Sequence, residues 1–90
     1  MANLKSRKKF GISLRHADMV LELMQQKNEE EQGYTWTAVQ VLGALKGQWG
    51  RYEPTVRQMG MFIHYTDFCQ HRPDVRGAGG AKVYSLAEGY

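Results

Sequence analysis

Between Thr37 and Leu86 the chain carries two helix signals in succession and then a glycine-tipped basic hairpin, and no other feature constrains the fold as much. Thr37 to Lys46 reads as one helix. It opens on a capping box, Thr37-Ala-Val-Gln40, in which the hydroxyl and the amide each satisfy a backbone N–H that the helix start leaves free. Trp36 and Val41 stand where a hydrophobic staple would form. Ala38, Val41, Leu42 and Leu45 give a buried face, and Gly47 supplies the stop. Pro54 to about Cys69 reads as the second helix, with Pro54 suited to its first turn and Thr55-Val-Arg-Gln58 as a second capping box. Val56, Met59 and Ile63 define its inward stripe, with Phe62 at the edge. Close backbone approach between the two helices accounts for Gly43 and Gly60 in their interiors. Pro73 then ends the helical run. Val75-Arg76 and Val83-Tyr-Ser-Leu86 have strand composition around the tip Gly77-Ala-Gly-Gly80.

Upstream, Ser13 can cap a first helix whose buried stripe is Leu14, Ala17, Leu21 and Met24, with Val20 beside it. Met19 and Leu23 widen that stripe, either to pack under the preceding residues or to meet a second subunit. Gly33 supplies the stop, and Tyr34-Thr35 suits a short strand before the second helix. Residues 1–12 read as a basic N-terminal arm and residues 13–90 as one α+β domain of three helices and a C-terminal β-hairpin.

The formal charge of +3 conceals an asymmetry. The first 17 residues hold Lys5, Arg7, Lys8, Lys9 and Arg15 and no acid. Residues 18–45 hold Lys27 against Asp18, Glu22, Glu29, Glu30 and Glu31, and the remainder is again basic. Such a division suits one face for phosphates and another turned away. The hydrophobic share of 42% is that of a globular chain, not of a disordered tail. No apolar run approaches the roughly 20 residues of a membrane span, and no apolar segment follows the basic start as in a secretory signal. One cysteine, Cys69, excludes an internal disulfide and suits a reducing compartment, so a cytoplasmic location is expected.

The outward face of the second helix of this pair shows Thr55, Arg57, Gln58, Met61, His64 and Tyr65. Arg can bond two acceptors on guanine at once, and Gln can do the same on adenine. Arg57 and Gln58 lie in the first turns, where a reading helix points into the major groove. His64 and Tyr65 are placed to assist. At the hairpin, Arg76 and Lys82 straddle the tip, and Gly79 within it permits close approach to a sugar-phosphate chain.

From Thr37 to Leu86 the chain resembles a winged helix-turn-helix domain, with Pro54-Thr-Val-Arg-Gln-Met59 as the start of the recognition helix and Arg76-Gly-Ala-Gly-Gly-Ala-Lys-Val-Tyr-Ser-Leu86 as the wing. With the first helix included, the likeness spans about four-fifths of the chain. The resemblance implies sequence-specific binding of double-stranded DNA, often as a homodimer, by a small transcriptional or replication regulator of phage or mobile-element type. Thr55, Arg57 and Gln58 would read or position on bases, and Arg76, Gly79 and Lys82 would hold the backbone. Lys5, Arg7, Lys8 and Lys9 would add a mobile electrostatic contact. The superfamily also contains protein-binding members. On that alternative, Trp49, Tyr52, Met61 and Tyr65 would anchor a polymerase, nuclease or other protein partner.

Other chemistry is thin. Gly77-Ala-Gly-Gly80 lacks the spacing of a dinucleotide fingerprint, and Lys82 is not followed by the Ser or Thr of a phosphate loop. His64, Cys69 and His71 supply three potential ligands where zinc sites usually hold four in paired spacing. Cys69 suits a small buried hydrophobe better than a nucleophile. No enzyme activity, cofactor or metal is expected.

Overall fold

In the computed structural model, described for residues 10–90, Ser13 caps the first helix, α1 (Leu14–Glu30), its side chain accepting from His16 N at 3.2 Å. The segment before it is not all arm. Ile12 is fully buried, and Phe10 packs against the core. The inward face of α1 is His16, Ala17, Val20 and Met24, whereas Leu14 and Leu21 are only half-buried, so the stripe lies to one side of the expected one.

The short strand β1 (Thr35–Trp36) leads into α2 (Ala38–Ala44). Both halves of the Thr37 capping box form: Thr37 Oγ1 accepts from Gln40 N at 3.2 Å, and Gln40 Oε1 accepts from Thr37 N at 2.9 Å. The long turn to the next helix is pinned by Trp49. Its indole is 2% exposed, its Nε1 donates to Leu42 O at 3.4 Å, and its carbonyl accepts from the buried His16 Nε2 at 2.7 Å. Trp49 is therefore a core residue and no part of a surface anchor.

Helix α3 spans Val56–Tyr65 and is shorter than expected. Pro54 lies one position before the cap, not in the first turn, and Thr66 closes the helix in extended geometry. Cys69 belongs not to a helix but to β2 (Cys69–Arg76), where Cys69, Gln70 and His71 face Leu86, Ser85 and Tyr84 of β3 (Lys82–Leu86). Pairing with β3 overrides the helical reading of those residues. Pro73 does not end a helix; it sits in the register irregularity between His71 and Arg76 on an outer strand, where a missing N–H breaks no ladder. The sheet is three-stranded and antiparallel, in the order β1-β3-β2.

The core lies between the three helices and the sheet, with Val41 of α2 fully buried in it. Met59, Phe62 and Ile63 point inward from α3, and Phe62 meets Phe68 edge to face at 5.9 Å. Val56, expected in that stripe, is instead 52% exposed. A Cβ at Gly60 would meet Ala38 Cβ at 3.9 Å, an ordinary contact, while Gly43 faces open space, so close helix approach accounts for neither glycine fully. Among the described residues no helix is long and apolar enough to cross a membrane.

Candidate nucleic-acid interface

The capping box that starts α3 decides what its first turn can offer. Thr55 Oγ1 accepts from Gln58 N at 3.1 Å, and Gln58 Oε1 accepts from Thr55 N at 2.9 Å. Two of the three side chains expected to read bases, Thr55 and Gln58, thus each spend their oxygen on the other's backbone N–H, and the Gln58 amide nitrogen lies against Gly11. Among the described residues Arg57 remains as an exposed charge of this face outside any ion pair. Behind it along α3, Met61 and Tyr65 are exposed, whereas His64 is half-buried and shares a 2.7 Å hydrogen bond, through Nδ1, with the hydroxyl of Tyr84 on β3.

The hairpin places its charges as expected. Arg76 and Lys82 are register partners at the base of the tip, both exposed. Gly77 N donates to Ala81 O at 2.9 Å and Gly80 N to Gly77 O at 3.0 Å, closing a tight loop. Gly79 and Gly80 take φ of 68° and 81°, a left-handed region that other residues enter at a cost. Among the described residues the ion pairs are Lys27–Glu30 and Arg72–Asp74; Arg57, Arg76 and Lys82 enter none.

Helix and hairpin meet in one cleft of about 370 Å³. Val56, Arg57, Met61, His64 and Tyr65 form its α3 wall, and Ala81, Lys82 and Tyr84 form the opposite one. Val39 of α2, 60% exposed, joins them at one end. Its cations therefore frame a largely apolar surface, which the sequence reading of a polar helix face missed. The signal was available in Val39, Val56 and Met61, once the helix phase was known.

Phe10 stacks on Tyr65 with ring centroids 5.5 Å apart, so the N-terminal segment begins beside this cleft. Lys5, Arg7, Lys8 and Lys9 lie outside the described residues. The aromatic anchor expected of Trp49, Tyr52, Met61 and Tyr65 does not assemble: Trp49 is buried, and Tyr52 lines a separate groove near Arg15, away from Met61 and Tyr65.

The histidines and cysteine do not form a ligand set. His64 and His71 rings stand 5.6 Å apart, but the Cys69 thiol turns to Met24 Sδ at 3.5 Å. Burial, reinforced by the charge of Asp67, pushes that thiol above its ordinary range, the reverse of what a nucleophile needs. Burial likewise raises the Tyr84 phenol, with smaller contributions from Cys69 and Tyr65. Among the described residues no three His, Cys, Asp or Glu side chains gather as a metal site. Comparison with protein families, with curated proteins and with solved structures finds no match for this chain.

Proposed function

We propose that this protein binds duplex DNA in the manner of a winged helix, with α3 in the major groove and the β2–β3 hairpin on the flanking backbone. The observation that carries the reading is that Arg57 of α3 and Lys82 of the hairpin line the same open cleft, with Arg76 paired opposite Lys82 and, among the described residues, none of the three in an ion pair. The element order helix, strand, helix, helix, strand, strand and the sheet order β1-β3-β2 suit that layout.

Fluorescence anisotropy against salt tests the proposal. Each phosphate neutralised contributes about −0.9 to the slope of log affinity against log salt, so four to six contacts give a slope of about −4 to −5. Arg76→Ala with Lys82→Ala should flatten it by about two units without moving the melting temperature, because exposed charges add little to folding. Absence of binding to genomic fragments at low salt would refute the reading. A second reading, docking of a protein partner, draws on one specific observation: Val39, Val56, Met61 and Tyr65 are exposed together in that cleft.

A further inference from the structure

Resting on the DNA reading above, we infer that the apolar part of the cleft recognises the C5-methyl group of thymine, so that α3 selects A·T-containing duplex by apolar contact rather than by forked hydrogen bonds. Thr55 Oγ1 and Gln58 Oε1 each accept from the other residue's backbone N–H at the helix start, and His64 Nδ1 is bonded to Tyr84, so among the described residues the polar groups that α3 offers the cleft are chiefly Arg57 and the Tyr65 hydroxyl. Between them the exposed cleft surface is mostly hydrocarbon. Val56 is 52% exposed and Met61 38%, and both line the cleft beside Val39. The major groove presents a single apolar group, the thymine methyl, and apolar side chains are what contact it.

Charge argues for a nucleic acid as the occupant. Arg57 and Lys82 stand on opposite walls of the cleft, and Arg76 lies across the hairpin from Lys82, so an apolar floor is edged by cations that enter no ion pair among the described residues. A polyanion with apolar groups recessed between its phosphates matches that arrangement; a purely apolar protein segment leaves the cations without partners. Gly60 keeps the floor open, since no side chain stands there between Val56 and His64.

The test compares a duplex of alternating dA and dT with one of alternating dA and dU, which differ only in the C5-methyl groups. Burying one methyl is worth about fourfold in affinity. The protein should therefore prefer the dT duplex by about fourfold for one methyl and about fifteenfold for two. In Val56→Ala with Met61→Ala the ratio should fall towards one. Both side chains are exposed, so folding is expected to survive, and Val56→Thr, close in shape but polar, should reduce the ratio if it does not. Equal affinity of the protein for both duplexes would overturn the inference while leaving DNA binding intact. A preference retained in the double variant would overturn it too, because the methyl would then act through duplex shape. Failure to bind either duplex, with a fluorescent apolar probe bound by the protein and lost from the double variant, would assign the cleft to a protein partner and remove the DNA reading as well.

Discussion

Replacing Gly77 with alanine should destabilise the protein, and replacing Thr37 with serine should remove most of that penalty. Gly77 has φ −85° and ψ −174°, a conformation open to any residue, so its backbone stores no strain. A Cβ there would instead lie 2.5 Å from Thr37 Cγ2 and 3.4 Å from Val83 Cγ2. Thr37 cannot simply rotate away, because its Oγ1 accepts from Gln40 N and caps α2. Overpacking of this kind costs about 1–3 kcal/mol, and losing the cap costs about 1 kcal/mol. The lower entropy of the unfolded chain returns about 0.4–1 kcal/mol. We therefore expect a net loss of about 1–2 kcal/mol, or roughly 4–15 °C in melting temperature for a domain of this size. In the Thr37→Ser background the offending methyl is gone while the capping hydroxyl remains, and Gly77→Ala should be close to neutral. Urea melts of the two single variants, the double variant and the parent give a coupling energy of about 1–2 kcal/mol on this argument. Additivity within about 0.5 kcal/mol would refute it, because the penalty would then come from somewhere other than the Thr37 contact.

Ile12→Ala should cost about 2–5 kcal/mol in a urea melt, since Ile12 is fully buried; a surface-like change below about 0.5 kcal/mol would return this residue to the arm. Gln58→Ala should lower stability by about 1 kcal/mol through the lost half of the capping box, non-additively with Thr55→Ala. An unchanged melting temperature combined with relaxed DNA preference would restore Gln58 as a base reader. Alkaline pH should weaken the fold. The Cys69 thiol and the Tyr84 phenol are both held above their ordinary values of 9.0 and 10.0, so the folded state favours their neutral forms. Their contribution is complete below about pH 9 and is lost as pH rises through the raised values. Urea midpoints followed from about pH 8 to about pH 11 should fall, and less steeply in Cys69→Ala; identical slopes would remove Cys69 from that account.

Local sequence rules carried the helix starts and the hairpin tip, because each depends on residues a few positions apart. Ser13, Thr37 and Thr55 all cap as their side chains dictate, and Gly79 and Gly80 of the tip take left-handed geometry. What could not be read depends on distant partners. Cys69-Gln-His71 has no strong strand propensity and becomes a strand because Leu86, Ser85 and Tyr84 lie alongside. Trp49 gives no local sign of burial; His16, 33 positions earlier, accounts for it. Val56 shares the helical phase of Met59 and Ile63, yet it stands at the first helical position and opens on the cleft. The basic residues of the candidate site were legible as a set, whereas its apolar floor joins three segments and required the fold.

The contacts that hold the two walls of the cleft apart are not the charges that edge it. The His64–Tyr84 hydrogen bond ties α3 to β3, the approach of Gly77 to Thr37 ties the hairpin base to the start of α2, and the Phe10–Tyr65 stack sets where the N-terminal segment begins. Arg57, Arg76 and Lys82 take no part in these contacts and form no ion pair among the described residues. Pairing them internally would gain little, because exposed salt bridges are worth about 0–1 kcal/mol. Leaving them free keeps their whole electrostatic contribution for a ligand. Spacing and affinity are thereby assigned to different residues. A change at Thr37, Gly77, His64 or Tyr84 alters the geometry in which the cations are presented, and a change at a cation alters only what the geometry can hold. On the proposed reading, the first kind of variant should change preference among duplexes as well as stability. The second kind, at Arg76 or Lys82, should weaken all duplexes through the salt slope while the fold stays as it was.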